Sequence, residues 1–232
     1  MPLRSRSMLV AGFLLVAAVC ARLGVWQVSR LRERRAANAV ALAARSAPVI
    51  QLNGRSLDRS SLNRRVIVHG RYDPDHEIVL RGREYRGVPG VEIVSPLLQR
   101  TGDTAILVNR GFLPAPDAVS ADPRPVRESG LVEVEGIILA LDSTGGAPLH
   151  RGETTTWFRL DRRAISKALP YPIAPVYIRQ APDSALPAFP RRLDPPPLDD
   201  GPHLSYAIQW FAFTLIALVF AGIMLRNVSG NL

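Results

Sequence analysis

Residues 206–225 read YAIQWFAFTLIALVFAGIML, and Gln209 is their only strongly polar side chain. A second apolar run, MLVAGFLLVAAVCARLGVWQV, covers residues 8–28 and contains one charge, Arg22. At the rise of an α-helix each run is about 30 Å long, which matches the hydrocarbon core of a bilayer. Tyr206, Trp210 and Trp26 lie near the ends of the runs, where membrane helices concentrate aromatic residues. The two runs predict transmembrane helices at 8–28 and 206–225, with the lipid bilayer as a partner.

The first run has a second interpretation, as a cleaved signal peptide. Arg4 and Arg6 precede it and small residues surround Cys20, as in a secretory signal. A helical pattern continues through Trp26, Arg30 and Arg34, where a cleaved protein usually begins with a loose tail. This continuation favours a retained helix.

Between the two runs the sequence has the composition of a soluble domain. Residues 29–47 are almost free of glycine and proline, so the first helix is expected to continue beyond the bilayer. Residues 48–180 contain short β-type runs with period-two alternation, as at Val66 and Val68 or Ile106 and Val108. The runs are 65–72, 77–81, 91–98, 104–109, 131–139, 157–160 and 176–179, with one helix at 161–169. This spacing predicts one mostly-β extramembrane domain, either a sandwich or a partly closed barrel.

Seven prolines lie in residues 181–202. Proline-rich segments are extended and semi-rigid, so residues 181–205 are predicted to form a tether to the second helix.

Composition and missing motifs exclude several function classes. The net charge is +9, and Lys167 is the only lysine among 29 basic residues. This arginine bias is also expected of a GC-rich genome, and without basic–aromatic stretches, zinc patterns or a helix-turn-helix it does not indicate nucleic acid. Cys20 is the only cysteine, so no two-thiolate copper site can form. Gly-x-Ser-x-Gly, His-Glu-x-x-His and phosphate-binding glycine loops are absent, so we expect no enzyme and disfavour a membrane-anchored hydrolase.

Two polar clusters lie in the predicted β domain. Asp73, Asp75, His76 and Glu77 contain metal-ligand chemistry, but Pro74 among them favours a solvated turn. Residues 109–111, Asn-Arg-Gly, are expected to end a strand and enter a turn. There Arg110 pairs with a carboxylate or, alternatively, binds an anion. Residues 87–90, Gly-Val-Pro-Gly, are expected to form a similar turn.

Polar residues also lie at one end of both predicted membrane helices. Arg22 is four residues inside Trp26 and Gln209 is three residues inside Tyr206, so both lie about 5 Å below the same interface. A polar residue at that depth faces a partner helix or a cavity, although an arginine can also snorkel. We predict that the helices pair with Arg22 and Gln209 facing inward. His203 precedes the second run at this interface, where an imidazole serves as a polar cap or as a haem ligand.

Three segments together resemble the SURF1 family of cytochrome c oxidase assembly factors. The first is LGVWQVSR at residues 23–30. The second extends from GVPG at 87–90 through SPL at 95–97 to VNRGFLP at 108–114, and the third is PHLSYAIQWF at 202–211. The resemblance covers nearly the whole chain. Phe112 stands where tryptophan is common in the family, and Arg34 where lysine is common.

The resemblance implies a non-enzymatic assembly factor for haem–copper cytochrome c oxidase. Such a factor assists insertion of haem a into the catalytic subunit, or, as the alternative, is a membrane-anchored scaffold that docks oxidase subunits without binding haem. His203 matches the family's histidine before the second span. We therefore expect His203 to ligate haem a, Arg22 and Arg30 to bind its propionates, and Trp26 and Trp210 to line an apolar slot. His69, His76 and His150 fall among strand or turn residues, where we expect no such slot.

The resemblance also implies a location. It puts the domain on the outer side of an energy-transducing membrane, whereas arginines 30, 32, 34 and 35 outnumber arginines 4, 6 and 226 and favour the cytoplasm. The positive-inside rule is weak for long loops, so we expect the outer side. Seven residues before the first run are too few for a mitochondrial presequence, so we expect a multi-pass protein of the bacterial inner membrane with its domain in the periplasm.

Overall fold

A computed structural model describes residues 3–52, 57–100, 103–144, 147–151 and 154–229. It divides the chain into two compact units, residues 1–40 with 198–232, and residues 41–197. The helices are α1 (Leu3–Ser46), α2 (Arg162–Ala168) and α3 (His203–Ser229). The strands are β1 (Ile50–Leu52), β2 (Arg65–Tyr72), β3 (Ile78–Tyr85), β4 (Val88–Gln99), β5 (Ala105–Pro114), β6 (Val132–Ala140), β7 (Leu149–Arg151), β8 (Thr154–Trp157) and β9 (Ile173–Gln180).

The first unit is a pair of long helices. Both α1 and α3 are long and apolar enough to cross a membrane. The rings of Phe13 and Phe220 stack with centroids 5.6 Å apart, and a Cβ on Gly24 would lie 2.7 Å from the ring of Phe211. The buried positions of the pair are mostly small residues, which let membrane helices approach closely. They include Ala17, Cys20, Gly24, Ala207, Ala217 and Ala221.

The prediction that Arg22 and Gln209 face inward was wrong. Both side chains are exposed. Each lies two residues from a buried small residue, since Arg22 is midway between Cys20 and Gly24 and Gln209 follows Ala207. Two residues correspond to about 200° around a helix, so both polar side chains lie on the faces opposite the helix contact.

The second unit is a mostly-β domain built on a partly closed barrel, which confirms the predicted fold class and selects one of its two architectures. Strands β2, β6, β9, β5 and β4 form a ring in that order. The ring closes where residues 70–72 of β2 pair with residues 97–99 of β4. Strand β1 adds to β2 in parallel, and β3, β8 and β7 extend the sheet beyond β4.

The core fills the ring and one outer face of the sheet. Val66 and Val68 alternate with less buried residues along β2 and point into the ring with Ile106 and Val108. Strand β5 does not alternate, because a second cluster covers its other face. In that cluster Leu107 packs with Trp157, Leu160 and Ile165, the last from α2. Asp161 caps α2 by accepting hydrogen bonds from the backbone N–H groups of residues 163 and 164.

The predicted turn at residues 109–111 was wrong, because β5 continues to Pro114. Ile93 of β4 pairs with Gly111 and the next residue, Val94, pairs with Asn109, so Arg110 is the extra residue of a β-bulge. Gly111 has a φ of 123°, and a Cβ there would lie 2.1 Å from the carbonyl oxygen of Arg191. The glycine therefore permits both the bulge and a close chain approach.

Other boundaries also differ from the sequence interpretation. Strands β1 and β7 have three residues each and carry too little pattern to be predicted. The chain turns at Arg86 and Gly87, both with positive φ, and β4 begins within the expected 87–90 turn. Strand β8 ends at Trp157, where a strand was predicted to begin, and α3 begins at His203 rather than at residue 206.

Candidate functional site

His203 is the first residue of α3, and its imidazole contacts α1. Its Nδ1 lies 2.8 Å from the Oε1 of Gln27. The tautomer with its proton on Nδ1 donates to the amide oxygen and keeps the lone pair on Nε2. The ring is half-buried, and no hydrogen bond from Nε2 to the described part of the chain is found. His203 therefore does not cap its own helix, and one ring nitrogen is available to a ligand.

The residues just before His203 are held by one stripe of α1. The side chains of Arg34 and Asn38 donate to the backbone carbonyl of Asp199, at 3.1 and 2.8 Å. Arg35 forms an ion pair of 2.8 Å with Asp200. Gln27, Arg34 and Asn38 are spaced seven and four residues apart, which puts them on one helix face. These contacts fix the backbone that positions His203 opposite Gln27.

A cavity of about 530 Å³ lies along α1 on the exposed side of the helix pair. Arg22 and Trp26 line it one turn apart, together with Val19, Leu23, Val25 and Ser29. The cavity is apolar except for the guanidinium of Arg22 and the hydroxyl of Ser29. Two of the predicted site residues therefore share one concave surface.

The remaining predicted residues do not line this cavity. The guanidinium of Arg30 lies 5.7 Å from the ring centroid of Trp26, but it also forms an ion pair of 2.8 Å with Glu33. Trp210 packs edge-on against Phe213 of its own helix. The structure thus groups Arg22, Trp26 and Arg30 on α1, places His203 against Gln27, and leaves Trp210 apart. Gln27 was missed because a glutamine among interface aromatics carries no signal of its own.

The barrel holds a buried ion cluster around Arg110, and this confirms the predicted pairing with a carboxylate. The guanidinium is fully buried and bonds Glu77 at 3.2 Å and Glu128 at 2.8 Å. Arg127 also pairs with Glu77 at 2.8 Å, and Arg192 also pairs with Glu128. The bulge turns the side chain of Arg110 toward Glu128, in the loop before β6. Glu128 in turn pairs with Arg192, so the ion pairs join this loop and the chain after β9 to the barrel wall.

Tyr72 covers the buried guanidinium, with its ring centroid 4.9 Å from Arg110. Burial, followed by the negative charge of Glu128, raises the pKa of the Tyr72 hydroxyl above its ordinary value. The phenol therefore stays neutral, and the ring offers its face to the cation. Glu77 and Glu128 therefore balance the buried charge of Arg110.

The predicted turn at residues 73–77 is confirmed as a single 3₁₀ turn, but it is less solvated than expected. Asp73 accepts hydrogen bonds from Nδ1 of His76 and from the hydroxyl of Tyr171, both at 2.7 Å. Burial raises the pKa of Asp73, but the bonds from Tyr171 and His76 outweigh it and hold this pKa below its ordinary value. Burial, followed by the bond to Asp73, raises the pKa of Tyr171. No cluster of three potential metal ligands occurs in the described residues.

The expectation that the domain histidines have no slot was wrong for two of the three. His76 and His150 line a cavity of about 570 Å³ whose apolar walls include Trp157 and Ile165. The cavity forms because α2 packs beside β8, which sequence spacing does not reveal. His69 lies at an exposed position of β2, 3.5 Å from Glu133.

Comparison with known proteins agrees with the fold. A model of the SURF1 family matches residues 14–215. A SURF1-like protein of Monosiga brevicollis is 29% identical over 223 residues, covering 90% of this chain and 84% of the relative. One from Rickettsia felis is 27% identical over 215 residues, covering 89% and 92%. A further one from Mycobacterium bovis is 27% identical over 161 residues, covering 68% and 58%.

The matched region includes Gln27, His203 and the nine strands described in the β domain. It also extends into both long apolar helices, so the agreement spans both units of the chain. The chain belongs to the SURF1 family.

Proposed function

We propose that this protein assists the assembly of haem–copper cytochrome c oxidase by holding haem a on its way to the catalytic subunit. In this proposal His203 is the axial ligand, and the haem is cargo rather than a resident cofactor. The proposal rests on the contacts of the His203 imidazole. Its Nδ1 is hydrogen-bonded to Gln27, and its Nε2 has no hydrogen-bond partner in the described chain.

Haem iron is commonly held by an imidazole whose other nitrogen donates a hydrogen bond, because that bond fixes the tautomer and the ring orientation. His203 meets this requirement through Gln27. Arg22, which lines the apolar cavity together with Trp26, offers one cation for a propionate, whereas His203 does not line that cavity. Arg30 would bind a second propionate by exchanging its partner Glu33, so its contribution is the weaker of the two.

The proposed location is the inner membrane of a bacterium, with the β domain in the periplasm. Support comes from family membership and from the two helices that are long enough to span. The proposed partner is the catalytic subunit of the oxidase, which receives the haem. We propose a non-enzymatic activity, because binding and release of cargo suffice for this step.

The test is to purify the full chain from cells that make haem a and to record its absorption spectrum. His203→Ala should lose the haem bands while the protein still inserts into the membrane. Gln27→Ala should retain His203 but bind haem about tenfold more weakly, as expected when a ligand's hydrogen-bond partner is removed. Added imidazole should restore part of the haem bands in His203→Ala.

The matched control is His69→Ala, because His69 is exposed and its only ion-pair contact in the described residues is with the exposed Glu133. His76→Ala is a poorer control, since His76 borders the cavity in the β domain. Equal haem occupancy in the His203 and His69 variants would refute His203 as the ligand. Absence of haem from the unaltered protein would favour the alternative, a membrane-anchored scaffold that docks oxidase subunits.

A further inference from the structure

Aromatic rings at the surface of the β domain carry arginine side chains over their faces. The guanidinium of Arg81 lies 5.8 Å from the centroid of Phe158. The guanidinium groups of Arg86 and Arg191 lie 5.3 and 5.6 Å from the centroid of Tyr85, and that of Arg191 is 5.9 Å from Phe189. We name these six residues the arginine–aromatic surface: Arg81, Tyr85, Arg86, Phe158, Phe189 and Arg191.

The two stacks lie along one strand. Arg83 also approaches the Phe158 ring, at 6.0 Å, so Arg81 and Arg83 share one side of β3. Tyr85 follows Arg83 by two residues in the same regular pairing with β4, and therefore faces the same side. Glu84 alternates to the other face. The surface therefore presents cations and rings in a row, and the one carboxylate that this row contacts, Glu92, is buried.

The cations of this surface are not neutralised. Arg83 reaches the buried carboxylate of Glu92, at 3.8 Å. In contrast, Arg81, Arg86 and Arg191 form no ion pair within the described residues, and their contacts are rings and, for Arg81, the carbonyl of Thr156. A guanidinium stacked on a ring keeps its edge N–H donors free for a carboxylate. Three guanidinium groups are held in this way, of which Arg81 uses one nitrogen to donate to the carbonyl of Thr156.

The apolar part of the surface is also exposed. Phe158 and Phe189 are 45% and 41% exposed, and Val88 at the adjoining turn is 47% exposed. Arginine and aromatic residues are enriched where proteins bind one another, and they supply most of the energy at such interfaces. The combination of exposed rings and unpaired guanidinium groups favours a protein partner that offers both carboxylates and apolar side chains.

We propose that the arginine–aromatic surface docks an acidic, extended segment of a partner protein. Carboxylates of the segment pair with Arg81, Arg86 and Arg191, and its apolar side chains pack on the exposed rings. This interaction is independent of the haem site and involves only residues of the β domain.

The test measures binding of a fluorescein-labelled peptide of alternating glutamate and tyrosine to the full chain in zwitterionic lipid nanodiscs, by fluorescence anisotropy. The triple variant Arg81→Gln, Arg86→Gln and Arg191→Gln should raise the Kd at least about tenfold, since charge-assisted hydrogen bonds are lost. The double variant Phe158→Ala and Phe189→Ala keeps every charge and should raise the Kd about fivefold through lost stacking.

The matched control replaces three exposed arginines of the same domain, Arg59, Arg71 and Arg100, by glutamine. It removes the same charge and should change the Kd less than about threefold at physiological salt, where distant charges are screened. Equal losses in the two triple variants would show attraction to net charge only and would overturn the proposal. Displacement of the peptide by glycerophosphoglycerol at equal charge would overturn it in favour of a lipid headgroup. Circular dichroism checks the fold of each variant. A second triple variant, with Lys in place of Gln at positions 81, 86 and 191, retains the positive charge.

Discussion

The ion cluster around Arg110 predicts an unexpected order of two substitutions. Arg110, Arg127 and Arg192 face Glu77 and Glu128, so the cluster has three positive and two negative charges and a net charge of +1. Arg110→Met removes the shared cation, and each glutamate keeps one arginine. Glu128→Gln leaves three arginines with one carboxylate, a net charge of +2. We therefore expect the glutamate substitution to be the more damaging, although Arg110 is the more buried.

The magnitudes follow from burial. Leaving a buried charge without its partner costs about 3–5 kcal/mol, and Glu128→Gln does this to Arg192 while it leaves Arg110 with Glu77 alone. Arg110→Met also breaks hydrogen bonds, but the methionine fills much of the volume and the remaining ions stay paired. Its expected cost is about 2 kcal/mol. Arg124→Met is the control, because Arg124 and Asp122 form a solvent-exposed pair whose loss should leave the free energy of unfolding nearly unchanged.

The assay is urea unfolding, because guanidinium chloride would screen the ions under study. Fluorescence of the buried Trp157 reports on the barrel once Trp26 and Trp210 are replaced by phenylalanine. A difference of about 2 kcal/mol between the two variants corresponds to roughly 1 M in the urea midpoint. A cost for Arg110→Met equal to or above that of Glu128→Gln would refute the charge-balance reasoning.

Three further predictions concern other parts of the chain. Gly24→Leu should weaken the helix pair by about 1–3 kcal/mol, because the leucine side chain would meet Phe211. Disulfide crosslinking between cysteines introduced at positions 13 and 220, in a variant without Cys20, should therefore fall. The crosslinking should persist in Gly12→Leu, because the space around Gly12 is open. Tyr171→Phe should return the lowered pKa of Asp73 toward its ordinary value. Because that lowered pKa stabilises the fold above about pH 4 and the effect is lost as pH falls through it, the variant should be less stable at pH 7, and its difference from the unaltered protein should shrink as pH falls through the lowered pKa. A cysteine at exposed Ser184, without Cys20, should react with an impermeant maleimide in spheroplasts; labelling only after lysis would put the domain in the cytoplasm.

Much of the fold could be predicted from local patterns. The uncharged run at 206–225 defines one helix by length, and the alternation around Val66 and Val68 defines a strand. The closure of the ring could not be predicted, since it depends on three residue pairs between β2 and β4 that resemble any other strand residues. The bulge at Arg110 was also invisible, because one extra residue in a strand leaves the apolar pattern nearly intact.

The positions of the functional side chains could also be predicted only in part. Counting residues along each helix gave the depth of Arg22 and Gln209 but not their direction, which depends on rotation about the helix axis. That rotation could have been predicted from the small residues at 17, 20 and 24, because they mark the packed face of α1. The ion cluster could not be predicted from the sequence, because Glu77, Arg110 and Glu128 are far apart in sequence. Each of them, taken alone, resembles an ordinary surface charge.

The contacts around His203 argue that its position is specified rather than incidental. A histidine that only caps a helix needs a bond to the first turn, whereas this imidazole bonds Gln27, which is 176 residues away in sequence. The chain before it is independently held at Asp199 and Asp200 by Arg34, Asn38 and Arg35. Ordering both the backbone and the ring costs conformational entropy, and a cap alone gains only about 1 kcal/mol. The bond to Gln27 instead fixes the tautomer, so that Nε2 keeps a directed lone pair, and this directed lone pair is what an axial ligand requires.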